Sequence, residues 1–144
     1  MDVNITDNPT LEEKNEIIDE LWKHNQIFHP VDINTFIVSL TNSNEKIIAG
    51  LIAQTWWGAL DIKYLWVNES YRYKGYGSQM MNAAEVEAED RGCHMAYVDT
   101  FDFQAKQFYE KLGYSEYGSL GGFARKFKRH YLAKVFTKAR DKHG

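Results

Sequence analysis

The stretch that decides the fold is LDIKYLWVNESYRYKGYGS, which runs from Leu60 to Ser78. An apolar, strand-like segment ends at Val67, and a short basic loop with glycines then opens directly into a helical pattern. N–H groups at the start of a helix have no intrahelical acceptor, and the helix dipole favours negative charge there. Glycines let an anion approach the main chain, and Arg72 and Lys74 add positive charge. The stretch therefore predicts a phosphate-binding loop.

Other readings of the two glycines, Gly75 and Gly77, also exist. A dinucleotide-binding fingerprint is suggested by Asp99, which follows about 20 residues later at the end of the next predicted strand. However, Met80 stands where the third glycine belongs, and about six residues separate the strand end from Gly75 where that fingerprint has almost none. A nucleoside-triphosphate P-loop needs Gly-Lys-Ser/Thr at a fixed offset, which is missing. An ordinary glycine turn stays open.

Working outward, hydrophobic periodicity predicts the element order β-α-β-β-β-α-β-α-β-β. Strands are expected at 3–6, 36–41, 46–57, 60–67, 94–100, 114–118 and 127–136, and helices at 10–29, 76–91 and 104–112. Thr10 and Glu13 form a capping box for the first helix. The hairpin-rich first half favours antiparallel pairing, whereas strand-helix-strand over 60–100 favours a parallel pair with a crossover helix.

Composition and charge bound the class of protein. The 144 residues, with a formal net charge of -3, suit one ordinary domain over 1–136 followed by a polar, frayed tail over 137–144. The single cysteine, Cys93, cannot form an internal disulfide, and no segment resembles a membrane span, so a cytoplasmic protein without membrane contact is expected. Acidic balance argues against a nucleic-acid partner, and histidine and cysteine spacing predicts no metal.

A second informative segment is DTFDFQAKQFYEKLGY, from Asp99 to Tyr114. Core packing alone could explain its apolar helix face and the glycine that ends it. Together, however, the two segments resemble the signatures of the GNAT superfamily of acyl-CoA-dependent N-acyltransferases. Arg72-x-x-Gly75-x-Gly77 matches the pyrophosphate-binding motif of that family. The second motif is matched by Ala105, Phe108, Tyr109 and Gly113.

This resemblance, which covers 60–114, implies a fold and a co-substrate. The fold is a single α/β (α+β) domain with a mixed, mostly antiparallel sheet of about 6–7 strands, flanked by about four helices, whose central parallel pair splays apart. Acetyl-CoA is the implied co-substrate. Its contacts are expected from Leu65, Trp66, Val67, Arg72, Tyr73, Lys74, Gly75, Tyr76, Gly77, Ser78, Gln104 and Tyr109. Gln104 replaces the family's usual asparagine, so the amide is kept with one more methylene.

The implied reaction is direct transfer of an acetyl group to an amine held in a ternary complex. Tyr109 occupies the position of the family's general acid, and the backbone N–H near Val67 would stabilise the developing oxyanion. Asp61 aligns with the catalytic glutamate of the histone-modifying branch, although an exposed aspartate beside a turn is an alternative. Glu69 and water-mediated proton transfer also stay open as routes for the base.

The acceptor is expected to be the primary amine of a small molecule or peptide. Its contacts are predicted from Phe28, His29, Trp56, Trp57 and Phe101. A homodimer is possible. Two other functions stay open: a non-catalytic acyl-CoA sensor, and a toxin-like acetyltransferase of aminoacyl-tRNA, which the negative net charge disfavours.

Overall fold

The computed structural model of this chain describes residues 1–137, so most of the predicted tail lies outside the described residues. The chain divides into two compact units, Met1–Asp32 and Ile33–Gly144. The predicted boundary between a domain over 1–136 and a tail stays a prediction.

The first unit contains one helix, α1, over Leu11–Asn25. The predicted capping box is confirmed, because the Thr10 hydroxyl accepts from the Glu13 N–H and the Glu13 carboxylate accepts from the Thr10 N–H. The predicted strand at 3–6 is wrong, since this segment belongs to no strand. Alternating residues form a strand only where their backbone groups pair with a neighbouring strand, and Val3 and Ile5 are fully exposed instead.

The second unit is built on a six-stranded sheet with the order β1-β2-β3-β4-β6-β5. The strands are β1 Asn34–Thr41, β2 Ile47–Trp56, β3 Ala59–Val67, β4 Met95–Phe101, β5 Ser115–Phe123 and β6 Phe127–Val135. Helix α2 spans Tyr76–Asp90 and α3 spans Lys106–Lys111, and a single 3-10 turn covers Glu69–Tyr71. The described part of the chain thus has three α-helices and one 3-10 turn, against about four helices expected.

The expected parallel pair is β3 and β4, and it is the only parallel contact in the described sheet. Pairing runs from Ala59 opposite Met95 to Ile62 opposite Val98 and then stops, although both strands continue. At that point β3 carries a bulge against β2, because Ile52 pairs with Tyr64 while Ala53 pairs with Ile62. Lys63 is therefore the extra residue, and a bulge bends a strand away from its partner. The splayed central pair is confirmed.

The hydrophobic core of this unit lies between the sheet and α2. The side chains of Leu51, Leu60 and Leu132 come from the sheet and are fully buried with Met80 and Met81 of α2. Because α2 connects β3 to β4, burying its apolar face fixes the position of its N-terminus relative to the gap between these strands.

Candidate active site

The N-terminus of α2 presents free backbone donors. The first intrahelical bond joins the Gln79 N–H to the Gly75 carbonyl, so the N–H groups of Tyr76, Gly77 and Ser78 have no acceptor within the helix. The cap residue, Gly75, has φ 83° and provides no side-chain cap. A helix start with three unpaired N–H groups and no capping side chain is a good site for a phosphate oxygen.

The loop that leads into α2 is held by side chains of its own. Asn68 accepts the Ser70 N–H through its side chain, and the Arg72 Nε donates to the Val67 carbonyl at 3.0 Å. Tyr73 is fully exposed at φ 65°, a left-handed conformation that costs a non-glycine residue about 1–2 kcal/mol. Lys74 lies over the Tyr71 ring. Arg72 therefore closes the loop as well as adding positive charge to it.

Gly77 also has a packing role that the sequence does not reveal. A Cβ on this residue would lie 3.2 Å from the Cζ of Phe108. The absence of a side chain thus lets α2 and α3 approach each other closely. Phe108 packs edge-to-face on Tyr109, with 5.1 Å between ring centroids, so the helix start and Tyr109 are separated by one aromatic ring.

Tyr109, the predicted general acid, is a buried phenol. Its side chain is only 5% exposed, yet the hydroxyl has no hydrogen-bond partner within residues 1–137. Within that range, the Arg129 Nε is the only side-chain N or O atom that is both fully enclosed and without a hydrogen-bond partner. The Tyr109 oxygen, which also has no partner, is therefore not fully enclosed. Burial, together with the negative charge of Asp99, raises the pKa of Tyr109 to about 12. The phenol therefore keeps its proton at neutral pH.

The carbonyl oxygen of the Gln104 amide is used within the turn between β4 and α3. Its Oε1 accepts from the Phe101 N–H at 2.8 Å and from the Thr100 hydroxyl at 3.2 Å. The Thr100 hydroxyl accepts in turn from the Ala105 N–H. Only the Nε2 group of Gln104 is thus left to donate to a ligand, and the proposed contact with the pantetheine arm stays a prediction.

Asp61 lies within a cluster of polar side chains. Its exposed fraction is 8%, and its Oδ2 lies 2.9 Å from the Lys63 Nζ and 3.4 Å from the Gln54 Nε2. Tyr97, its register partner on β4, accepts a 2.8 Å hydrogen bond from the Trp56 Nε1. Burial, reinforced by the charge of Asp61 and a hydrogen bond to it, raises the pKa of Tyr97 to about 12. The aspartate is therefore a buried, paired carboxylate and not an exposed one.

Sequence reasoning missed Tyr97. The sequence indicated it only through its position on the second of the two predicted parallel strands, where a residue beside Asp61 must lie on the same sheet face. The exact partner could not be read from the sequence, because the register of a parallel pair is set by the packing of the crossover helix.

The predicted acceptor-binding residues fall into separate groups. Trp56 joins the Asp61 cluster through Tyr97, and Trp57 stacks on Trp56 with ring centroids 5.4 Å apart. Phe101 lies at the far end of β4, stacked on Phe103. Phe28 and His29 belong to the first unit. A role for these five residues in acceptor binding stays a prediction.

Buried tyrosines should make the fold sensitive to alkali. Tyr109 has a folded pKa of about 12, against about 10 in an unfolded chain, so the unfolded state loses the proton first. Its contribution to stability is complete below pH about 10 and is lost between about 10 and about 12, at a cost of about 3 kcal/mol. Urea unfolding at increasing pH measures this loss. The free energy of unfolding of Tyr109→Phe should fall less steeply with rising pH than that of the native chain. An identical fall would contradict the raised pKa of Tyr109.

Within residues 1–137, no group of three or more His, Cys, Asp or Glu side chains is arranged to hold a metal ion. None of the helices in this range has both the length and the apolar character needed to cross a membrane.

Comparisons with known proteins agree with this geometry. Residues 4–114 match the Acetyltransferase (GNAT) family. Acetyltransferase Atu2258 of Agrobacterium fabrum (strain C58) is 31% identical over 137 residues, which cover 94% of this chain and 100% of the relative. Blasticidin-S acetyltransferase of Streptomyces morookaense is 34% identical over 90 residues, covering 62% of this chain and 66% of the relative.

Solved structures share the fold. An acetyltransferase from Bacillus cereus aligns with a TM-score of 0.81 and 31% identity, covering 92% of this chain and 98% of the other. An aminoglycoside 6'-N-acetyltransferase in complex with coenzyme A aligns with a TM-score of 0.62 at 18% identity, covering 94% and 97% of the two chains. The chain belongs to the GNAT acetyltransferase family and is an acyltransferase.

Proposed function

We propose that this enzyme transfers the acetyl group of acetyl-CoA to the primary amine of a small molecule, by direct attack in a ternary complex. The observation that carries the proposal is the Tyr109 hydroxyl, which is buried and unpartnered within residues 1–137 and lies one ring from the free N–H groups of α2. That oxygen is not sealed off, so a bound ligand can reach it and accept its proton.

The residues present fit acetyl-CoA. The N–H groups of 76–78, beside Arg72 and Lys74, suit its diphosphate, and the edge of β3 that β4 leaves free at 65–67 suits the amides of its pantetheine arm. The Gln104 Nε2 can donate to the same arm. When bound, acetyl-CoA supplies an activated acyl thioester. Relatives and solved neighbours that are acetyltransferases, one of them with coenzyme A bound, support this co-substrate.

The chain's own groups then have three tasks. Asp61 takes a proton from the incoming ammonium, because an amine attacks only in its neutral form and a lysine-like amine is mostly protonated at neutral pH. Backbone N–H groups near the end of β3 stabilise the charge that develops on the carbonyl oxygen. Tyr109 donates its phenolic proton to the leaving sulfur, so that the sulfur does not expel the amine again.

A small acceptor is favoured over a protein. One relative is by name an acetyltransferase of the small molecule blasticidin S. The buried carboxylate of Asp61 beside the stacked rings of Trp56 and Trp57 suits a compact cationic amine, because an ammonium group binds both a carboxylate and the face of an aromatic ring.

A thiol-release assay tests the proposal. Acetyl-CoA is mixed with the enzyme and with each member of a panel that contains a polyamine, an aminoglycoside, a nucleoside antibiotic with a free amine, and a short peptide. We expect release above the hydrolysis background with at least one small cationic amine, and less release with the peptide. Binding of acetyl-CoA without release in any well would favour a sensor and overturn the proposal.

A further inference from the structure

The ion pair between Lys63 and Asp61 places an amine where the proposed acceptor should bind. The Lys63 Nζ lies 2.9 Å from the Asp61 Oδ2, while the Gln54 Nε2 lies 3.4 Å from the same oxygen. The carboxylate that would take a proton from a substrate ammonium is thus already in contact with an ammonium of the chain itself. A tethered amine at this position is a built-in competitor of the acceptor.

Lys63 also stands at the mouth of the gap in the sheet. Parallel pairing of β3 and β4 ends at Ile62, and Lys63, the bulged residue, is the next one along the strand. The side chain of Lys63 is 46% exposed, against 11% for Asp61, so the nitrogen is accessible while the carboxylate is enclosed. An accessible amine, an adjacent proton acceptor and the opening that would admit a thioester therefore meet at one residue.

We propose that Lys63 is a self-acetylation site, at which acetyl-CoA bound to the same molecule modifies the Nζ. This inference rests on the proposed function. The ammonium passes one proton to Asp61, and the nitrogen lone pair forms the new N–C bond while the carbonyl π electrons move to oxygen. When the carbonyl re-forms, the C–S bond breaks, its electron pair goes to sulfur, and sulfur takes the proton of Tyr109. The acylated nitrogen gives up its second proton, which returns to the Tyr109 oxygen through water, and Asp61 releases the first proton to water.

Acetylation changes what the site can bind. The acetylated nitrogen carries no positive charge, so its ion pair with Asp61 is lost. Asp61 keeps its contacts with Gln54 and Tyr97, and it then faces the opening without a competing cation. The modified enzyme should consequently bind cationic acceptors more tightly than the unmodified one.

Peptide mass spectrometry of the purified enzyme, sampled over time with acetyl-CoA, tests the site. Lys106 is a matched internal control, because its Nζ also pairs with a carboxylate, that of Glu116 at 2.8 Å, and its side chain is 34% exposed. We expect Lys63 to be acetylated at least about tenfold faster than Lys106, because proximity accelerates only the lysine beside the thioester. The rate should be independent of enzyme concentration, and Asp61→Asn should reduce it toward that of Lys106.

Lys63→Arg should keep the positive charge beside Asp61 and abolish labelling of the peptide. Three results would each overturn the inference. These are equal rates of acetylation at Lys63 and Lys106, a rate at Lys63 that Asp61→Asn leaves unchanged, and a rate at Lys63 that grows with enzyme concentration. If the enzyme acetylates small amines while its own Lys63 stays unmodified, self-acetylation is rejected and the proposed function is kept. Calorimetry that detects no binding of acetyl-CoA would reject the proposed function itself.

Discussion

Tyr109→Phe should lower kcat by about 10²-fold or more while the affinity for acetyl-CoA stays nearly the same. The substitution removes one oxygen from a ring that is 95% buried, and that oxygen has no hydrogen bond to lose within residues 1–137. Folding and ring packing on Phe108 should therefore survive. What disappears is the proton donor, whose pKa of about 12 keeps it protonated at neutral pH. Steady-state kinetics with the best amine of the panel, alongside calorimetry with acetyl-CoA, provide the measurement.

Tyr114→Phe is the matched control for this variant. Tyr114 is also a buried phenol, with its ring centroid 6.0 Å from that of Tyr109, but its hydroxyl donates to the Glu85 carboxylate at 2.8 Å. Removing that hydroxyl costs about 1–3 kcal/mol of stability, because it leaves a buried carboxylate short of a donor. It should leave kcat within a few-fold of native. If both variants lost kcat equally, or if Tyr109→Phe kept native kcat at every pH, Tyr109 would not be the general acid.

Much of the sheet could be predicted from the sequence because the patterns were local. Alternation and the crossover helix predicted β1 to β4 within a few residues of their observed ends. Strand β5 was expected to stop at 118 but extends to Phe123. The segment after 118 contains Ser119, Gly121 and Gly122, which favour loops, and its pairing with β6 overrides that local preference.

The candidate site was less predictable where it depended on long-range contacts. The free N–H groups at the start of α2 followed from the glycine-containing loop alone. The packing of Phe108 on Gly77 and the hydrogen bond of Trp56 to Tyr97 did not, because each joins elements far apart in the chain. The bulge at Lys63 breaks the period-2 alternation of β3, and it could not be read from residue types alone.

The phosphate loop gives the second large effect, and Gly75→Ala is the variant that isolates it. Replacing Gly77 would test packing as well as binding, because any Cβ there meets the Phe108 ring. Gly75 has open space around it, and its φ of 83° means that a side chain strains the backbone that begins α2. We expect the affinity for acetyl-CoA to fall at least about tenfold, because a shift of this residue displaces the N–H groups proposed to bind the diphosphate.

Gly92→Ala separates binding from strain. Gly92 follows the other end of the same helix at φ 90°, again with nothing within 4 Å of an added Cβ. Both variants should therefore lose a similar amount of stability, about 1 kcal/mol in urea unfolding, because both force a side chain into the left-handed region. Only Gly75→Ala should weaken acetyl-CoA binding in calorimetry. Equal affinities for the two variants would mean that the diphosphate binds elsewhere, since the N–H groups at the start of α2 would then play no part in holding it.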